Sequence, residues 1–128
     1  MLYSHSPRSY VRTSNWKVDA KVSLDHEEWQ VVDVVDIAAG GLLFQTEAEY
    51  TVGDSVHLDL YIDPLLPEIP EKLHMEMVAR ISSFREQSSE VNAYGVVFIK
   101  ISLSDQVRLD ELIRLTVTRY GSGQEPEA

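Results

Sequence analysis

The 128-residue chain contains no cysteine. A structural disulfide and a thiol nucleophile are therefore excluded, and a zinc site would have to use histidine and carboxylate ligands. Long apolar runs are also missing, since no segment approaches the roughly 20 apolar residues that span a bilayer. Residues 1–12 carry polar residues throughout and lack the apolar core of a signal peptide. We expect one domain, a cytoplasmic location and no membrane insertion.

Positive charge is scarce in this sequence. There are 11 Lys and Arg residues against 21 Asp and Glu, a net charge of −10. This balance disfavours binding to nucleic-acid polymers or anionic membranes, which need excess basic residues. The charge is uneven, because residues 1–22 have a net charge of +3 and the remainder has −13. A basic end on an acidic body indicates a local anion site, although a short basic end also arises by chance.

Alternation of apolar and polar residues predicts six β-strands. In the first strand, from Trp16 to Leu24, every second residue from Trp16 onward is predicted to face inward, and Trp29 is predicted to join the core. The later strands are predicted at 29–37, 42–46, 55–62, 73–81 and 94–101. Three prolines make residues 63–72 a loop. Six short strands joined by turns indicate an antiparallel barrel or sandwich.

The period of the apolar residues changes after the sixth strand. Six residues have the spacing of one face of an amphipathic helix: Leu109, Leu112, Ile113, Thr116, Val117 and Tyr120. Ser104 is the predicted N-cap of this helix, and Gly121 is the predicted stop. The predicted organisation is a flexible N-terminal segment at 1–12, a barrel with its helix at 13–120, and a disordered tail at 121–128.

Residue combinations that support catalysis are weak in this chain. The four histidines (His5, His26, His57 and His74) include no pair with the i, i+4 spacing of helical metal ligands. Asp33 and Asp36 are three residues apart, so they are predicted to face opposite sides of a strand. We therefore predict that the protein is not an enzyme and has neither a metal site nor a cofactor.

Two short motifs remain. Arg8-Ser-Tyr-Val-Arg12 precedes the first predicted strand, and Asp36-Ile-Ala-Ala-Gly-Gly41 ends the second, where the glycines are predicted to open a turn. Each motif alone is common. In this order, followed by Gly95-Val-Val-Phe98 and a helix, they resemble the PilZ domain over roughly residues 7–118. In that family, an RxxxR motif and a [D/N]xSxxG motif form the site for cyclic di-GMP.

The resemblance implies a mainly β fold, a six-stranded antiparallel barrel with one C-terminal α-helix. It also implies that Arg8 and Arg12 contact phosphate and guanine, that Asp36 accepts hydrogen bonds from a guanine edge, and that Gly41 shapes the turn. Ala38 departs from the pattern, because the family motif has serine there and alanine lacks its hydroxyl. The implied function is a cyclic di-GMP receptor that changes conformation and regulates motility, adhesion or exopolysaccharide output through an unidentified protein.

Other functions remain open at this point. A protein-interaction module that has lost the ligand is compatible with Ala38. A barrel that binds single-stranded nucleic acid would need a basic groove, which the acidic body opposes. The sequence leaves open whether the protein is a monomer or a homodimer, and which protein it regulates.

Overall fold

The computed structural model describes residues 10–121, and within them the chain is mainly strand with one helix. The elements are β1 (Arg12–Thr13), β2 (Lys17–Ser23), β3 (Gln30–Ala38), β4 (Gly41–Thr46), β5 (Ser55–Asp63), β6 (Leu73–Glu86), β7 (Asn92–Lys100) and α1 (Leu103–Tyr120). The six predicted strands correspond to β2 through β7. The last strand, predicted to begin at residue 94, begins at Asn92, so Gly95 lies within β7.

Six strands close into an antiparallel barrel in the order β3-β2-β5-β6-β7-β4, and β4 pairs back onto β3. The predicted six-stranded barrel with a C-terminal helix is confirmed. The beginning of β3 pairs with β2, whereas Ile37 and Ala38 at its end pair with Thr13 and Arg12 of β1. The short strand β1 therefore pairs with the part of the β3 edge that does not pair with β2.

A bulge in β3 overturns one prediction about its acidic residues. The register shifts between Val34 and Asp36, so that Asp33 lies opposite Gln45 while Asp36 lies opposite Leu43. Gln45 and Leu43 are two residues apart and share a face of β4. Asp33 and Asp36 therefore share a face too, because the bulge inserts one extra residue between them.

The two tryptophans differ in their surroundings. Trp16 is buried in the core as predicted, and its indole Nε1 donates to Thr116 Oγ1 over 2.9 Å. The prediction for Trp29 is wrong, since this residue precedes β3, is half-buried and has its ring edge-on to His26. Leu24, also predicted to face inward, lies beyond the end of β2 and is exposed. Both residues lie outside the strands, Leu24 after β2 and Trp29 before β3, so strand alternation does not determine which way they face.

Helix α1 covers the barrel with one apolar face. Its buried residues are Leu109, Leu112, Ile113 and Thr116. The N-cap is Ser102 rather than the predicted Ser104, because the Ser102 hydroxyl accepts from the Asp105 amide at 3.1 Å. The predicted stop at Gly121 is confirmed: its φ of 80° suits glycine, and its amide donates to the Val117 carbonyl. Among residues 10–121, no helix has the length and apolar character needed to cross a membrane.

The predicted loop between β5 and β6 is fastened to the end of α1. Arg119 donates from Nη1 and Nη2 to the two carboxylate oxygens of Glu68, at 2.9 and 2.6 Å. These hydrogen bonds from Arg119 lower the pKa of Glu68 to about 2 from a usual 4.5. Because the pKa is lowered in the folded state, the ionised Glu68 carboxyl stabilises the fold at pH values above its usual pKa of 4.5. This contribution is lost as the pH falls from 4.5 towards 2.

We expect the Glu68 carboxyl to titrate separately from the other glutamates. A carboxyl-carbon NMR titration should give a midpoint near 2 for Glu68. Arg119→Gln should return that midpoint towards 4.5, because the replacement amide keeps a polar group but has no charge. A midpoint near 4.5 in the unsubstituted protein would show that the ion pair is not populated in solution.

Candidate functional site

Strand pairing brings four of the five predicted site residues into one patch. Ala38 lies opposite Arg12 of β1 on one side and opposite Gly41 of β4 on the other. Directly opposed residues in a sheet share a face, and so do residues two apart along a strand. Asp36 therefore lies on the same face as Ala38, and the two sequence motifs meet on one face of β3.

The charged groups of this patch are in direct contact. Arg12 donates from Nε and Nη2 to Asp36 Oδ1, over 3.1 and 2.8 Å. The two side chains are one third and one quarter exposed, respectively. A charge-assisted contact through two N–H groups fixes the plane of a guanidinium as well as its position. The pair therefore presents hydrogen-bond donors and a carboxylate side by side.

The turn after Ala38 is short and well anchored. Ala39 and Gly40 connect β3 to β4, and Ala38 is fully buried. The Ala39 carbonyl accepts from Gln106 Nε2 of α1 at 3.0 Å, and the Gly40 carbonyl accepts from the Phe98 amide of β7 at 2.9 Å. These contacts tie the motif turn to the helix and to the adjacent strand.

The glycines of this turn act differently from the prediction. Among residues 10–121, the glycines with positive φ are Gly53 and Gly121. Gly40 and Gly41 thus do not open the turn by adopting backbone angles closed to other residues. Gly41 instead pairs with Ala38 and with Val97 of β7. A residue without a side chain at this position allows another group to approach the backbone closely.

The remaining site residue, Arg8, and most of the predicted flexible segment lie outside the described residues. The predicted boundary after residue 12 falls within β1, whose pairing with β3 includes Arg12. Gln106 was missed by sequence reasoning, because a polar residue near the start of an amphipathic helix gives no sign of contact with a distant turn. Its role emerges only from the packing of α1 against the barrel.

The Arg12–Asp36 pair suits a ligand that offers acceptors and donors on neighbouring atoms. Guanine has this property, with O6 and N7 as acceptors and N2–H as a donor. Guanidinium groups also stack on base faces and pair with phosphate. The patch is therefore chemically suited to a guanine nucleotide.

A surface cavity of about 480 Å³ near the opposite end of β4 has a different chemistry. Its lining includes Tyr50, Phe84 and Tyr94, with the carboxylates of Glu49 and Glu86 at the same cavity. Two carboxylates disfavour an anionic ligand. This cavity is therefore a poor site for a phosphate-bearing molecule.

Comparison with known proteins supplies the family. The sequence-family model of the PilZ domain matches residues 6–115 of this chain. The chain belongs to the PilZ family. The predicted family is thereby confirmed, and PilZ domains are receptor or adaptor domains. A search of curated proteins found no match.

Solved structures of other proteins share this fold. The Bacillus subtilis inhibitor of motility MotI/DgrA has 23% identity and a TM-score of 0.71, over 91% of this chain and 54% of its own. The PilZ domain of Escherichia coli YcgR with c-di-GMP has 15% identity and a TM-score of 0.57, over 89% and 93%. The K. pneumoniae MrkH–c-di-GMP complex has 15% identity and a TM-score of 0.57, over 84% and 51%. This PilZ chain spans about half the length of MotI/DgrA and of MrkH.

Proposed function

We propose that this PilZ domain binds cyclic di-GMP at the patch formed by Arg12, Asp36, Ala38 and Gly41, with Arg8 as a fifth contact. The observation that carries the proposal is the contact between Arg12 and Asp36 beside the Ala38–Gly41 pairing. It unites the family's two motifs at one place on the barrel. YcgR and MrkH, whose structures contain c-di-GMP, support the choice of ligand.

The chemistry of the ligand accounts for these residue types. Cyclic di-GMP carries two phosphates and two guanines, so it needs cationic donors together with an acceptor for the guanine N–H groups. In the proposed complex, Arg12 donates to guanine or phosphate, and Asp36 accepts from a guanine edge. Arg8 adds a second cation four residues before Arg12, in the part of the chain with a net charge of +3.

The proposed consequence of binding is a conformational change that a partner protein recognises. Strand β1 contains two residues and follows the segment that carries Arg8, so a ligand held by both arginines would order that segment against the barrel. The contact between Gln106 and the Ala39 carbonyl links the same patch to α1. The output would be a regulated protein of motility, adhesion or exopolysaccharide production. The proposal includes a cytoplasmic location and no catalytic activity.

Ala38 favours a second candidate, a PilZ interaction module that does not bind nucleotide. It lies opposite Arg12, at the position where the family motif supplies a hydroxyl. The absence of that hydroxyl removes one neutral hydrogen bond, worth about 0.5–1.5 kcal/mol. Direct titration with cyclic di-GMP separates the two candidates.

Ala38→Ser is expected to tighten cyclic di-GMP binding by about 0.5–1.5 kcal/mol, because the hydroxyl restores one hydrogen bond. The measurement is calorimetric titration of both proteins. Ala39→Ser is the matched control, since Ala39 is equally buried but belongs to the hydrophobic core. We expect that control to lower stability without tightening binding. Equal affinities of the Ala38→Ser and unsubstituted proteins would mean that another group already makes the serine contact.

A further inference from the structure

A cluster of metal-ligating side chains lies on the outer face of β5 and β6. Asp59 is directly opposite Glu76, and His74 is two residues before Glu76. Leu58 and Met75 are buried on the inner face, so the three polar residues project outward together. This arrangement escaped sequence analysis because the ligands are not at helical spacing. They lie at i, i+2 on one strand and on the adjacent antiparallel strand.

The three side chains converge on a small volume. His74 Nε2 lies 2.6 Å from Asp59 Oδ1 and 3.7 Å from Glu76 Oε2. One ligand atom from each residue falls within 4.8 Å of the other two. The Tyr61 ring stacks on the His74 ring at 4.2 Å, with 11° between the planes. This stacking holds the imidazole in the orientation that points Nε2 at both carboxylates.

We propose that Asp59, His74 and Glu76 bind a divalent transition-metal ion of the zinc class. Zinc bonds to histidine nitrogen and carboxylate oxygen are about 2.0–2.2 Å long, so tetrahedral ligand atoms are separated by about 3.3 Å. The two distances from Nε2, 2.6 and 3.7 Å, lie on either side of this value. Adjustments of less than an ångström therefore bring both carboxylates to the required distance from Nε2, and the third separation, between the two carboxylates, is within 4.8 Å.

The ligand types favour zinc over magnesium or calcium. Hard cations prefer all-oxygen sites, whereas an imidazole nitrogen suits zinc and its neighbours in the transition series. Two carboxylates balance the double charge of the ion. Metal on Nε2 replaces any proton held there, and the proton is released to solvent. Three protein ligands leave a fourth position for water or for a group from another molecule.

A pair of histidines elsewhere on the barrel provides an internal comparison. His26 and His57 pack edge-to-face with ring centroids 4.3 Å apart. Within residues 10–121, the only group of three or more potential metal ligands is the Asp59–His74–Glu76 cluster. A variant at His26 thus removes one histidine from the same protein while leaving the proposed site intact.

The test is calorimetric titration of the full chain with zinc chloride in a non-chelating buffer near neutral pH. We expect one saturable site, and we expect His74→Gln and Asp59→Asn each to weaken it by at least about tenfold. His26→Gln should bind zinc as the unsubstituted protein does. Thermal unfolding of each metal-free variant verifies that it is folded, which we expect because His74 is an exposed side chain.

Several results would overturn the proposal. These are the absence of saturable zinc binding, unchanged affinity in His74→Gln, and loss of binding in His26→Gln. Magnesium binding as tight as zinc would indicate general attraction to an acidic surface. Histidine-ring NMR signals give an independent readout, because zinc should shift the His74 ring and leave that of His26 in place. The proposal is independent of cyclic di-GMP, so the titration is done without nucleotide.

Discussion

Arg12→Ala is expected to weaken cyclic di-GMP binding by about 1–3 kcal/mol, or about 5- to 150-fold. The substitution removes an arginine that is proposed to donate to guanine or phosphate. It also leaves Asp36 without the cation that contacts its Oδ1 atom. The local charge of the pair changes from zero to −1, and this charge would face an anionic ligand. The loss should therefore fall in the upper part of the range.

Calorimetric titration of Arg12→Ala and Arg8→Ala measures this effect, with Arg85→Ala as the matched control. Arg85 is exposed near the end of β6 and pairs with Ala93, away from the motif turn, so its replacement removes the same charge elsewhere. We expect the control to bind normally and all three variants to remain folded. Unchanged affinity in Arg12→Ala would show that the meeting of the two motifs has no role in binding.

Trp16→Ala is expected to have the largest effect on stability, about 3–5 kcal/mol. The side chain is 8% exposed and packs between the barrel and α1. Truncation leaves a cavity that surrounding strands cannot fill. It also removes the Nε1–H donor to Thr116 Oγ1, which itself donates to the Leu112 carbonyl within the helix. The contact between helix and barrel should weaken accordingly.

Trp29→Ala is the comparison for this stability prediction. Both tryptophans occupy predicted core positions in the sequence, but Trp29 is half-buried outside the strand ladder. Its truncation should therefore cost clearly less than that of Trp16. Urea unfolding of the two variants and the unsubstituted protein measures the difference. Equal losses would contradict the distinct burial of the two residues.

Much of the barrel could be predicted because its strands alternate cleanly. Apolar residues at every second position predict a strand with one buried face. Strand β5 has this form, with Val56, Leu58, Leu60 and Ile62 buried. The bulge near Val34 could not be predicted, because nothing in a valine-rich segment marks the inserted residue. Strand β1 was also missed, since two residues are too few to show alternation.

The candidate site was predictable only in part. The motifs identified Arg12 and Asp36 by resemblance, and their contact depends on the pairing of β1 with β3. Gln106 and the cluster around His74 depend on three-dimensional neighbours that are distant in the chain. The spacing of residues along the sequence does not indicate such contacts. Arg8 stays a prediction, since it lies outside the described residues.

Calorimetric titration of the unsubstituted PilZ chain with cyclic di-GMP tests the proposed receptor function directly. We expect saturable binding that weakens in Arg12→Ala and tightens in Ala38→Ser. A chain that shows no binding at high micromolar ligand, with or without Ala38→Ser, would contradict the receptor function. The alternative of an interaction module without nucleotide would then take its place.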